Sequence, residues 1–381
     1  MSEAIDLRVP SLQALHSRRS EKWAGHDADV ISMTIAEMDF PTAPPIAAAL
    51  RAAIDRGDLG YPPADPTVLN EAFASFARRR MGWEVDPEQV VLIPDVVVGI
   101  VELCRALLRP GDSVALAIPA YPPFFSELPR AGLRISELAL DADGEFELED
   151  LDATLRAGAR ALILVNPQNP TGRVIPRASL GRIAELCAER DAWVLADEIH
   201  APLVLEGATH TPWLDVSDAA REVGVSLISA SKAFNLAGLK AAHLVTASTR
   251  AREAVRALLP VSSQAGLMGV IASEAAFLEG DEWLDAVLAQ LAANRDQLGA
   301  ELAARLPGVR WAPPEGTYLA WLDCRGLGLE EDPSARFLAR GRVALGTGPR
   351  YGTGGAGFAR LNFATGPELL AEGVRRMAAA I

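Results

Sequence analysis

Lysine is nearly absent from this 381-residue chain: only Lys22, Lys232 and Lys240 stand among its 36 basic residues, and the rest are arginine. Where arginine is the default cation, a lysine is kept for its amine chemistry. Cysteine is as scarce. Cys104, Cys187 and Cys324 are widely spaced and odd in number, which excludes a disulfide framework and reads as reduced core residues. The five histidines form no ligand-like cluster, which argues against a zinc centre. No basic block interrupts a net charge of −14, so nucleic acid is not an expected partner. No apolar run approaches 18 residues, and no basic segment followed by an apolar one opens the chain. A soluble, unexported, cytoplasmic protein is therefore expected.

What is present is an apolar half of the composition, ample for a large core, and a length that suggests two domains. From Val90 to Ser248 short apolar runs alternate with amphipathic segments. The runs are Val90–Ile93, Ser113–Ile118, Ala161–Val165, Trp193–Ala196, Ser226–Ser229 and Ala242–Thr246, with helices expected over Gly99–Leu108 and Ser179–Asp191. Runs apolar on both faces and separated by helices predict an α/β fold with a mostly parallel, doubly covered sheet. After Gly280 a long helix (Glu282–Arg305) leads to strands at Val309–Ala312, Tyr318–Asp323 and Ala359–Phe363 and a closing helix. The division expected is an arm contributing to the small domain over residues 1–45, a large domain over 46–280 and a small α+β domain over 281–381.

Ligands of open α/β sheets bind at the carboxyl ends of the strands. Tyr121, Asn169, Asp197 and Ser231-Lys232 all fall just after predicted strands. Lys232, in "SASKAFNLAGLK", lies among small and apolar residues, and partial burial would give it the neutral amine that carbonyl chemistry needs; alone, it could equally reach the surface. "NPQNPTG" (Asn166–Gly172) forms a rigid loop after a strand. In "VLADEIHAP" the acids and His200 at a strand tip admit a metal site, a proton relay, a cofactor clamp or an ordinary turn.

The order decides among these. Asp197 follows Asn169 by 28 residues and precedes Lys232 by 35, each residue ending a strand–helix unit. This pattern closely resembles the fold-type I, class I/II aminotransferase superfamily of pyridoxal-phosphate (PLP) enzymes, from about Val30 to the C-terminus. The resemblance implies a seven-stranded large-domain sheet and a homodimer with shared sites. It implies that Lys232 bonds PLP covalently and later moves protons, that Asp197 pairs with the pyridine nitrogen, that Asn169 meets the 3-oxygen and that Tyr121 stacks on the ring. Ser229, Ser231, Lys240 and the amides of Val97 and Val98 would surround the phosphate, with Tyr61 reaching it from the other subunit. Arg360, in "GFARLNFAT", would fork onto the substrate carboxylate beside Asn169 and Ala36.

His200, three residues after the aspartate, together with "EMDF", "RRSEKW", "FNLAGLK" and "YGTGGAGFARLNFAT", resembles the MalY/PatB branch of cystathionine β-lyases and cysteine-conjugate C–S lyases. His200 is placed near the cofactor and marks the branch rather than proving a proton role; Glu198 is expected to be structural. The expected activity is PLP-dependent elimination of a thiol from a cysteine S-conjugate, giving pyruvate and ammonia. The alternative is an aminotransferase, and a binding-only regulator is the third reading. Three positions depart from the branch: Thr34 replaces a tryptophan, Glu37 an aspartate, and Asp95 a small residue. A carboxylate at 95 should disfavour a nearby dianionic phosphate unless it points to solvent.

Overall fold

The protein is described by a computed structural model over residues 5–141, 144–256 and 264–381. Its strands are β1 (Ile31–Met33), β2 (Val90–Ile93), β3 (Ser113–Ile118), β4 (Arg134–Ala139), β5 (Ala159–Val165), β6 (Trp193–Asp197), β7 (Gly224–Ile228), β8 (Ala242–Val245), β9 (Leu319–Asp323), β10 (Val343–Thr347) and β11 (Phe358–Asn362). Seven of them form one sheet in the order β2-β8-β7-β6-β5-β3-β4. All its pairings are parallel except those of β8, which runs against both β2 and β7.

The sequence explains the burial. β6 and β7 are buried at every residue, and alternate side chains supply two separate cores. Leu195 and Ile163 face the core shared with Ile100, Leu103 and Phe124, from the helices Val96–Leu107 and Pro123–Arg130. Val194, Ala196 and Leu162 face the core shared with Phe73, Phe76 and Ile183, from Thr67–Met81 and Arg177–Glu189. Apolar residues with a period of two, seated on both faces, are what a covered parallel sheet requires.

The second sheet has the order β1-β10-β11-β9, with β1 parallel to β10 and the other pairs antiparallel. The 25-residue helix Asp281–Arg305 and the helix Pro367–Ala379 pack against each other and supply Leu291, Leu298, Val374 and Met377 to its core. The strand expected at Val309–Ala312 is not formed, and only a bridge between Arg310 and Asp323 remains. Pro313 and Pro314 follow directly and cannot donate to a ladder, so pairing stops there.

The segment before β1 is tied down by charge. Lys22 Nζ pairs with Asp39 at 2.9 Å with both side chains about fully buried, and Trp23 Nε1 donates to the same carboxylate at 2.9 Å. Arg18 Nη2 donates to Asp39 O at 3.0 Å. "RRSEKW" thus fixes "EMDF" in place.

His243, on β8, is fully buried; neither ring nitrogen has a partner, and the ring stacks on Phe73 at 4.7 Å and 9°. Burial alone pushes its pKa from 6.5 down to about 3. As pH falls through 6.5 the unfolded chain takes up this proton and the folded chain does not, so stability declines until pH approaches 3. His243→Phe should therefore remove about 2 kcal/mol of the stability lost between pH 7 and pH 5. Urea denaturation at the two pH values reads this, and an unchanged difference would show that His243 is protonated in the folded chain.

Candidate active site

Four strand ends of the large sheet converge. Tyr121 follows β3, Asn169 lies in the loop after β5, Asp197 is the last residue of β6, and Lys232 sits in the one-turn helix Ala230–Ala233 after β7. Facing them are Arg360, from β11 of the second sheet, and the irregular segment Thr34–Met38 after β1.

That segment works through its backbone. Lys232 Nζ donates to Ala36 O at 2.9 Å, and Tyr318 Oη donates to the same oxygen at 2.9 Å. Arg360 Nη2 donates to Thr34 O at 2.6 Å and Nη1 to Asn169 Oδ1 at 3.1 Å, while its guanidinium lies 5.3 Å from the Tyr351 ring centre. Asn362 Nδ2 bridges Ile35 O (2.6 Å) and Glu37 O (2.7 Å). Asn235 closes a two-way pair with the backbone of Met38, both bonds 2.9 Å. Arg360 is buried, and its Nε has no partner, a donor available to an anion.

The electrostatics follow from burial. Desolvation lowers Lys232 to about 8, helped by the charge of Arg360 and opposed by Glu37, Asp95 and Asp197. Desolvation raises Asp197 to about 7, against the Ile199 N–H that donates to it at 3.2 Å and the charge of Lys232; Asp95 and Glu198 push the same way as burial. His200 is held well below its usual range by burial and then by Lys232 and Arg360. Its Nδ1 is buried without a partner, and its ring meets Tyr318 edge-on at 5.9 Å. Burial raises Tyr121 and also Tyr318. Thus the site brings a readily neutralised amine close to an acid whose ionised form lacks a strong partner.

Glu198 serves the scaffold. Its Oε1 accepts from Trp213 N–H (2.8 Å) and lies 3.1 Å from His210 Nε2. Asn166 Oδ1 accepts from Ile175 N–H, which orients the amide so that Nδ2 donates to His210 Nδ1. His210 must then carry its proton on Nε2 and donate it to Glu198. No group of His, Cys, Asp and Glu able to hold a metal occurs among the described residues.

At the expected phosphate end the polar groups are engaged with one another. Ser229 spends its only hydroxyl proton on Ala241 O (2.7 Å) while accepting Ser231 N–H (3.0 Å), so it has no donor for a phosphate. Val97 N–H donates to Asp95 Oδ1, and Lys240 Nζ to Asp95 Oδ2, both at 2.9 Å. Ser231 is partly buried beside Lys232, and Val98 opens outward from the helix start. Tyr61 is 92% exposed. Asn235 and Asn362 lie within the quoted "FNLAGLK" and "GFARLNFAT" but carried no assigned role, and for Tyr318 only the "TYLAW" run hints at a strand-edge aromatic.

The chain matches the sequence profile "Aminotransferase class I and II" over residues 28–377. It is 38% identical to the cystathionine beta-lyase of Corynebacterium glutamicum, with 98% of this chain and 100% of that one covered. Cystathionine beta-lyase PatB of Bacillus subtilis is 36% identical over 93% of each. The solved structure of the PLP-bound C-S lyase from Staphylococcus hominis superimposes with a TM-score of 0.89 at 25% identity, covering 97% of this chain and 98% of that one. A profile match over most of the sequence, joined to relatives aligned nearly end to end, establishes that the chain belongs to the aminotransferase class I and II family.

Proposed function

We propose that the protein is a PLP-dependent cysteine-S-conjugate β-lyase of the cystathionine β-lyase type. The observation that carries this is the placing of a desolvated Lys232 amine and a buried Asp197 carboxylate at the ends of adjacent strands. The relatives named cystathionine beta-lyase support the choice of reaction. The net reaction takes a cysteine S-conjugate and water to a thiol, pyruvate and ammonia.

The residues fit PLP. A carboxylate raised to about 7 by burial suits a protonated ring nitrogen, which would return it to the ionised form. A lysine lowered to about 8 has a usable neutral fraction for bonding an aldehyde. The unpartnered His200 Nδ1 suits a polar group of the ring, and Tyr121, just after β3, supplies an aromatic side chain. Once bound, PLP supplies an electron sink for the substrate's α-carbon.

The chain's own groups do the rest. Arg360 holds the substrate carboxylate, its guanidinium already fixed by Thr34 O and Asn169 and with Nε–H to offer. Lys232, steered by Ala36 O, removes the α-proton as its neutral amine. Tyr318 shares Ala36 O, which limits the positions the amine can take. Carbon–sulfur cleavage then depends on how the side chain of the substrate is held. L-cystathionine supplied without an oxo-acid acceptor should give pyruvate and free thiol. Turnover only with an acceptor would assign an aminotransferase instead.

Arg360→Ala should weaken substrate binding by about 2–5 kcal/mol, because a buried carboxylate loses its charged partner. Arg360→Lys should recover only part of this, lacking the planar fork. Apparent substrate affinity by steady-state kinetics decides, and no change would place the carboxylate elsewhere.

The proposal extends to a cytoplasmic homodimer, with residues 46–280 carrying the cofactor. Ile54, Leu59, Tyr61 and Val68 form an exposed apolar stretch suited to a second copy, from which Tyr61 would reach the other phosphate site. Sedimentation should give a dimer. A fully active monomer would remove this part of the proposal.

A further inference from the structure

We infer that Asp95 loosens this chain's grip on the cofactor phosphate by itself engaging the two groups best suited to hold it, the Val97 N–H and the Lys240 ammonium. The inference rests on the reading of PLP as cofactor and concerns one end of the same site.

Asp95 is the N-cap of the 12-residue helix Val96–Leu107. It adopts φ −162° and ψ 146°, and its Oδ1 accepts from Val97 N–H at 2.9 Å. Its second oxygen accepts from Lys240 Nζ at 2.9 Å, with the Asp95 side chain 29% exposed and that of Lys240 57% exposed. One carboxylate therefore covers the helix start and neutralises the nearest cation. A helix N-terminus attracts a phosphate through free N–H groups and its positive end; Asp95 occupies the Val97 N–H and offsets that positive end in advance. Nor does the carboxylate simply face solvent. Its charge raises Asp197, Lys232 and Tyr121, three residues of the expected cofactor site. Ser229 cannot compensate, its proton being committed to Ala241 O.

A phosphate entering here must displace Asp95 from both partners or share them with it at close quarters. Either route subtracts from the affinity that the phosphate contributes. The consequence is a cofactor that exchanges with the free pool, so that occupancy follows supply.

Two substitutions separate charge from capping. Asp95→Asn keeps the cap and removes the charge; Asp95→Gly removes both. Full-length protein freed of cofactor is titrated with PLP and with pyridoxal, which lacks the phosphate, and the dissociation constants are read from absorbance. Thermal melting checks that each variant is folded. The ratio of the pyridoxal to the PLP constant should rise about tenfold or more in Asp95→Asn and further in Asp95→Gly; the ratio cancels any effect of the charge on Lys232 and Asp197, which both ligands share. An unchanged or smaller ratio overturns the inference, since Asp95 would then be preorganising Lys240 for the phosphate. Equal gains for both ligands also overturn it, placing the effect at the ring. If the wild-type protein forms no borohydride-reducible bond with either ligand, the PLP reading itself falls and takes this inference with it.

Discussion

Lys232→Ala is expected to abolish covalent retention of PLP and to reduce lyase activity by at least about 10³–10⁴, since one group both anchors the cofactor and moves the proton. The geometry allows no substitute. Lys22 is committed to Asp39 and Lys240 to Asp95, so among the described residues Lys232 is the one lysine directed at Asp197's end of the sheet. Borohydride reduction followed by mass measurement of the labelled peptide tests the anchor directly. Label retained by the alanine variant would refute it. The wild-type protein adds a pH signature. Because burial lowers the amine to about 8, the rate of cofactor attachment should rise as pH passes through about 8 and then level off. A rise centred near the ordinary lysine value of about 10.4 would mean that the amine is fully solvated.

Asp197→Asn should act in opposite directions on activity and on stability. The isosteric amide removes the charge that would keep a ring nitrogen protonated, and kcat should fall by about 10²–10³. Stability of the cofactor-free protein should rise. The unfolded carboxyl ionises near 3.8 and the folded one near 7, so between these values the folded chain holds a proton the unfolded chain has lost. Stability therefore falls as pH climbs from 3.8 to 7, by about 4 kcal/mol at the upper end, and asparagine removes that loss. Denaturant titration of the cofactor-free proteins at pH 5 and pH 8, set beside kcat, reads both effects. A variant that is slower but no more stable at pH 8 would mean that Asp197 is already ionised at little cost.

The seven-stranded sheet was legible because its central strands are buried on both faces, and such strands are written as uninterrupted apolar runs. β2 and β3 begin and end where those runs do. β4 was invisible for the complementary reason: an edge strand with only one fully buried residue has no run to read. The start of the helix Val96–Leu107 was placed three residues late, since Val96, Val97 and Val98 look like strand until Asp95 is recognised as a cap. Within the site, Lys232, Asp197, Asn169 and Arg360 stood out as rare or motif-bound residue types, and the structure brings Asn169 into contact with Arg360. At the phosphate end the hydrogen-bond commitments lie beyond sequence. Whether a serine donates outward or to its own backbone depends on distances of a few tenths of an ångström, which no spacing rule encodes.

The segment Thr34–Met38 receives donors from Arg360, Asn362, Lys232, Tyr318 and Asn235 almost wholly through peptide carbonyls. Alanine scanning leaves every one of those oxygens in place, so a scan across positions 34 to 38 will under-report the segment's importance. Its weight would emerge only from changes to the main chain itself, such as a proline at Met38, which deletes the N–H that Asn235 Oδ1 accepts. Stretches of this kind can therefore look dispensable in a mutational map while setting the position of the reactive amine.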